Sequence, residues 1–108
     1  MVDSAIQRVV QNYLQNLSAL GIPVERGIIF GSHARGSATI WSDIDLLVIS
    51  SRFDAPRTRE VLNMLWRVAA REDARIEPVP CGKIEWESST ESAIVEVARR
   101  EGLEVAAL

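Results

Sequence analysis

The sequence predicts a small α/β domain with helices packed against one sheet. Three observations carry this prediction. A long amphipathic stretch opens the chain, two short apolar runs bounded by glycine, serine and acidic residues follow it, and helix-like and strand-like segments then alternate to the end. A length of 108 residues points to one domain spanning 1–108. With 47% hydrophobic and 25% charged residues, the composition is that of an ordinary globular chain.

Each element has a local signature. Ile6, Val9, Val10, Tyr13, Leu14, Leu17 and Leu20 recur at helical spacing opposite Gln7, Arg8, Gln11, Asn12, Gln15 and Asn16. This predicts a helix over 4–20, capped by Asp3 or Ser4 and stopped at Gly21, with Pro23 just beyond. Val24 to Phe30 ends in the apolar run Gly27-Ile28-Ile29-Phe30 and reads as a buried strand. The following GSHARGSATIWS is too rich in small and polar residues for a strand and reads as a turn with one helical turn.

Asp43 to Ile49 is a second strand. Ser50 to Phe53 reads as a loop, and Asp54 as the cap of a second long helix with Pro56 in its first turn. Val61, Leu62, Leu65, Trp66, Val68 and Ala69 would form the buried stripe of that helix. Arg75 to Pro80 alternates like a strand, and its two prolines suit a sheet edge. Cys81-Gly82 and the region of Trp86 read as loop. Helix returns from about Glu91 to Arg100, Gly102 stops it, and Leu103 to Ala106 reads as a short fourth strand.

Composition excludes several functions. Cys81 is the only cysteine and His33 the only histidine, so an internal disulfide and a Cys/His zinc site are ruled out. The lone thiol suits a reducing compartment. Twelve basic against fifteen acidic residues, a net charge of −3, argue against unaided duplex binding. No apolar run approaches the ~20 residues of a membrane span, and the N-terminus lacks a signal-peptide core. The expected location is the cytoplasm, with no membrane partner.

The stretch from Gly31 to Asp45 carries the chemistry. A buried strand delivers Gly31-Ser32, ten residues follow, and Asp43 and Asp45 then flank Ile44 at strand spacing. Period two puts both carboxylates on one face. Like charges held that close are unfavourable unless a cation lies between them. An all-oxygen donor pair selects Mg²⁺ or Mn²⁺, which usually completes its shell with water and substrate phosphates. Gly31 lets a phosphate approach the backbone, Ser32 offers a hydroxyl, and Arg35 adds a guanidinium fork a turn later. Either element alone is commonly just a turn or a strand entry. Together they point to nucleotide chemistry.

These residues, Gly31-Ser32-His33-Ala34-Arg35-Gly36 followed by Ser42-Asp43-Ile44-Asp45-Leu46-Leu47-Val48, resemble the minimal nucleotidyltransferases of the DNA polymerase beta superfamily. The resemblance implies a small mixed sheet of three to four strands with helices packed on it. It also implies two Mg²⁺ ions, with Mn²⁺ as a substitute, and transfer of a nucleoside monophosphate from a triphosphate such as ATP with release of pyrophosphate. Asp43 and Asp45 then match the catalytic metal ligands, and Gly31, Ser32 and Arg35 the nucleotide-binding residues. The superfamily places a third carboxylate on a later strand beside this pair. Glu77 is the candidate, expected to share a metal and to accept the proton of the attacking hydroxyl. The family often has Asp there, and Pro78 bends the strand locally, so a solvent-facing edge-strand glutamate is the other reading. His33 is a neighbour of this site. Trp41 either borders the nucleotide or packs, and Arg99-Arg100 reads as a solvated helix face.

Larger members of the superfamily add a domain that grips the acceptor, and none is evident here. The acceptor is therefore expected on a partner protein, on a neighbouring copy in a homo-oligomer, or as a small molecule. Many bacterial and archaeal members resemble antitoxins that transfer AMP to a tyrosine of a HEPN-domain toxin. The resemblance thus implies a Mg²⁺-dependent protein adenylyltransferase using ATP, with a HEPN toxin as partner. The alternative is a non-catalytic antitoxin that neutralises its partner by binding. The intact Gly31, Ser32, Asp43 and Asp45 favour the enzyme. A small-molecule nucleotidyltransferase, for instance one acting on an aminoglycoside, is disfavoured by the missing second domain.

Overall fold

The computed structural model describes residues 2–88 and 92–107. Its strands are β1 (Val24–Phe30), β2 (Ile44–Ser50), β3 (Ile76–Cys81) and β4 (Leu103–Ala106), joined in one sheet of order β3-β2-β1-β4. β1 is antiparallel to both β2 and β4, and β2 is parallel to β3, so the sheet is mixed. The central position of β2 explains its composition: Leu46, Leu47, Val48 and Ile49 are all buried, which requires apolar side chains on both faces.

Two helices cover one face. α1 (Ser4–Ala19) and α3 (Arg59–Glu72) pack against Ile29, Ile44, Leu46, Val48 and Ile76. Asp3 caps α1 by accepting the Ala5 N–H at 2.7 Å. α1 buries Ile6, Val10, Tyr13, Leu14 and Leu17, the periodic set of the sequence. The Tyr13 hydroxyl donates to the Leu65 carbonyl at 2.9 Å, tying α1 to α3 inside the core. On the other face, α4 (Lys83–Ser88) and α5 (Ala93–Glu101) meet Ile28, Leu47, Ile49 and Cys81. Burial pushes the Cys81 thiol up to about 12, helped by the neighbouring Glu85, which leaves it inert at neutral pH. The single-turn helix α2 (Ser32–Arg35) links β1 to β2.

Several local expectations are corrected. Asp54 does not cap the second long helix. Ala55, preceding Pro56, is held extended, so the chain makes a 3-10 turn over Ser51–Asp54 and α3 starts at Arg59 with Thr58 as its cap. Asp54 instead accepts the Ile84 N–H at 3.0 Å, in the first turn of α4. Trp86 therefore lies on a helix rather than a loop, and it is half-buried. Trp66 is 51% exposed and not part of the α3 stripe. β2 begins at Ile44 rather than Asp43, and β3 runs on to Cys81. α5 starts at Ala93, and Glu91, expected near its start, lies outside the described residues. No helix among the described residues is long and apolar enough to cross a membrane.

Candidate active site

The sheet register brings the candidate residues to one end. The antiparallel register sets Phe30 opposite Asp45, and the parallel register sets Asp45 beside Glu77. Strand alternation puts Asp45 on the face of Leu47 and Ile49, and Glu77 on the face of Val79 and Cys81, so both lie on the side covered by α4 and α5. Asp43 is exposed, one residue before β2. Gly31 follows β1 with φ +75°, and a Cβ there would collide with Asp45 Oδ2. Only glycine satisfies both demands at this turn. Gly31 of the glycine-serine turn and Asp45 are thus in direct contact.

The electrostatics follow from that crowding. Burial, then the negative charge of Asp43, raises the Asp45 carboxyl above its ordinary range, while Glu77, Arg35 and His33 pull it down. Burial, then Asp43 and Asp45, raises Glu77. Glu77 is half-buried on the edge strand. An all-oxygen set of three neighbouring carboxyl groups fits a hard divalent cation in donor chemistry. Among the described residues, however, no group of three or more His, Cys, Asp or Glu side chains is arranged as a ready metal cage. Mg²⁺ tolerates this, because it commonly takes one or two carboxylates and fills its shell from water and phosphate.

Around the carboxylates, α2 is built on Gly31, whose carbonyl accepts the Ala34 and Arg35 N–H groups at 3.1 Å each. Ser32 is half-buried at its start. His33 is buried, with Nε2 at 3.5 Å from the Ser42 carbonyl. The loop before β2 is pinned by Thr39 N–H to Ser42 Oγ at 2.8 Å and Trp41 N–H to Thr39 Oγ1 at 3.2 Å. Trp41 is 84% exposed, so it does not pack. An open cleft of ≈ 390 Å³ lined by His33, Thr39, Ile40 and Arg75 adjoins this loop but includes none of the three carboxylates.

Two features escaped the sequence. Glu101 Oε1 accepts the Gly31 N–H at 3.2 Å and lies 3.1 Å from Arg35 Nη1, with Oε2 at 3.4 Å. No local pattern around Glu101 signals a contact with residues 66 to 70 positions earlier. Arg99, read as part of a solvated face, stacks over the Trp86 ring at 5.2 Å, a cation–π contact between α5 and α4.

This architecture has known counterparts. A Sulfolobus solfataricus protein assigned to the nucleotidyltransferases superposes with a TM-score of 0.66 at 17% identity, over 91% of this chain and 77% of that one. A chain of a toxin–antitoxin complex solved with AMP-PNP superposes with a TM-score of 0.61 at 20% identity, over 91% of this chain and 73% of its own. These likenesses establish a shared fold. Among curated proteins none matches the chain significantly. The family model for the nucleotidyltransferase domain matches residues 10–100, a span that holds the glycine-serine turn, both aspartates and Glu77. The chain belongs to the nucleotidyltransferase domain family.

Proposed function

We propose that the protein is a divalent-cation-dependent adenylyltransferase that moves AMP from ATP to a protein hydroxyl, a tyrosine of a HEPN-domain toxin, and so acts as the antitoxin of a pair. The observation that carries this reading is the contact of Gly31 with Asp45, beside Glu77 in the parallel register. A phosphate-approach turn and a cluster of carboxylates share one place. Support also comes from the AMP-PNP and toxin–antitoxin setting of a structure with the same fold. A reducing cytoplasm suits the buried free thiol of Cys81.

In this reading Ser32 and Arg35 hold the phosphates of ATP by hydroxyl and guanidinium. Asp43 and Asp45, with Glu77, would hold Mg²⁺ or Mn²⁺, one ion or two. Bound there, the cation neutralises the charge that builds on the phosphates during transfer. Glu77 accepts the proton as the acceptor oxygen bonds to the α-phosphorus. The bond from that phosphorus to the bridging oxygen breaks, and pyrophosphate leaves. Positioning and charge supply most of the rate in such transfers.

A second reading keeps the fold and the partner but not the chemistry: neutralisation by binding alone. The toxin–antitoxin setting of a structure with the same fold suits this reading equally. One experiment separates the two. The chain is incubated with ATP, Mg²⁺ and the product of the neighbouring gene, and that product's intact mass is measured. Added adenylyl groups that vanish with Asp43→Asn support the enzyme. A tight complex with no added mass, and neutralisation undiminished by Asp43→Asn, supports binding alone.

A further inference from the structure

We propose that Glu101 is a positioning residue for the nucleotide's phosphates: its carboxylate holds both ends of α2 and fixes the Arg35 guanidinium. The inference rests on the adenylyltransferase reading and adds to it a residue from outside the matched span of 10–100.

The geometry is specific. One oxygen, Oε1, accepts the Gly31 N–H at 3.2 Å at the entrance of α2 and Arg35 Nη1 at 3.1 Å at its exit. Oε2 lies 3.4 Å from the same nitrogen. α2 is a helix of four residues with no side-chain cap of its own. One helical turn fixes several dihedrals for very few hydrogen bonds and does not hold itself in water. Its position is set by tertiary anchors, and Glu101 bridges its two ends. Ser32 therefore sits on a turn whose placement depends on α5.

Glu101 is itself well anchored. It closes α5, and its side chain is 22% exposed. The next residue, Gly102, is pressed so closely onto β1 that a Cβ would collide with Ile28 Cγ2 and the Ala98 carbonyl. The carboxylate thus projects from a helix end seated on the same strand that delivers Gly31. Arg35, by contrast, is 55% exposed, and alone it would sample many rotamers. The guanidinium has five donors, and the contact engages Nη1 only, which leaves the rest of the fork for phosphate oxygens. A guanidinium ordered during folding need not be ordered again when the ligand binds.

The test measures ATP binding in Mg²⁺ by calorimetry on the full chain. Wild type is compared with Glu101→Met, Glu101→Gln, Arg35→Ala and the double variant Glu101→Met/Arg35→Ala. Glu101→Met keeps length and helix propensity but accepts neither hydrogen bond. It should raise the Kd for ATP roughly 3- to 10-fold, the cost of freezing one long side chain on binding. Glu101→Gln, which retains an acceptor oxygen, should recover most of that loss. In the Arg35→Ala background Glu101→Met should add less than it does alone, because only the bond to Gly31 and the turn it places then remain to be lost. Glu104→Gln breaks a comparable ion pair, Arg26–Glu104 at 3.0 Å, away from α2 and should leave the Kd unchanged. Glu101→Ala replaces the Met variant where that one fails to fold. An unchanged or tighter Kd on loss of the carboxylate, or full additivity with Arg35→Ala, overturns the proposal. Tighter binding would mark Glu101 as an anion competing with phosphate. Wild type that binds no ATP overturns the adenylyltransferase reading and this one with it, and that failure shows in the wild-type arm alone.

Discussion

Against α1 and α3 the sheet buries most of the largest fully buried side chains, among them Tyr13, Leu14, Leu17, Leu46 and Leu65. Against α4 and α5 it buries a smaller set, Ile28, Leu47, Ile49, Cys81, Val95 and Ala98, and the carboxylates of Asp45 and Glu77 stand at the end of that face. The difference teaches how one thin sheet carries both stability and a charged site. Half-buried like charges oppose folding. They are tolerated where an independent apolar core on the opposite face holds the strands in register. Stability and chemistry should therefore separate by face, and mutations can test this.

The largest expected effect is on the charged face. Glu77→Gln removes the proposed proton acceptor and should lower adenylyl transfer roughly 10²- to 10⁴-fold. ATP affinity should largely persist. In metal-free buffer the melting temperature should not fall, because the negative charges of Asp43 and Asp45 disfavour an ionised Glu77. A Glu77→Gln chain that unfolds would break the separation of faces, and one with normal turnover would return Glu77 to a structural role.

Leu14→Ala sharpens the other side. Leu14 is fully buried between α1 and the sheet, and its truncation should cost about 2–5 kcal/mol in urea unfolding. Val95→Ala on the α5 face should cost less, since fewer methyl groups are lost from a smaller cluster. Equal losses would show that the two clusters share the stability evenly.

The smallest effect concerns the entry to β3. The Arg75 side chain, bonded to Asp73 at 2.8 and 3.1 Å, holds the Asp73 carboxyl below the usual range. A depressed acid stabilises the fold above its unfolded value of about 3.9 and loses that contribution as pH falls through the lower folded value. Asp73→Asn should therefore cost about 1 kcal/mol at pH 7, measured by urea unfolding. Wild type and variant should converge in acid. A difference that persists at low pH would assign the effect to the backbone turn, where Asp73 also accepts the Arg75 N–H at 2.9 Å.

Much of the fold is legible in the sequence because its signals are local. The 3.6-residue spacing from Ile6 to Leu17 specifies α1, and the apolar run Leu46 to Ile49 marks β2 as a strand. The positive φ at Gly21, where the first helix was expected to stop, belongs to the same class. So do the glycine-serine turn and the two aspartates, whose spacing alone points to nucleotide chemistry. Where a local signal fits two placements, the sequence does not choose between them. Asp54 is as good a cap for one helix as for another, and only the fold decides that it meets Ile84 thirty positions later. Trp66 has the hydrophobicity of a core residue but sits on the solvent side of α3.

By itself, then, the sequence determined the long helices, the strands and the motif residues, since each of these depends on backbone propensity and the spacing of neighbours, but not the short α4. Tertiary structure alone decided which strands pair, and so that Glu77 lies beside Asp45 and Asp45 against Gly31. It also decided that Glu101 reaches back to Gly31 and Arg35. Those contacts join residues tens of positions apart, and their formation rests on sheet order and helix seating. These are set by the burial of the whole apolar surface at once, which no local pattern records.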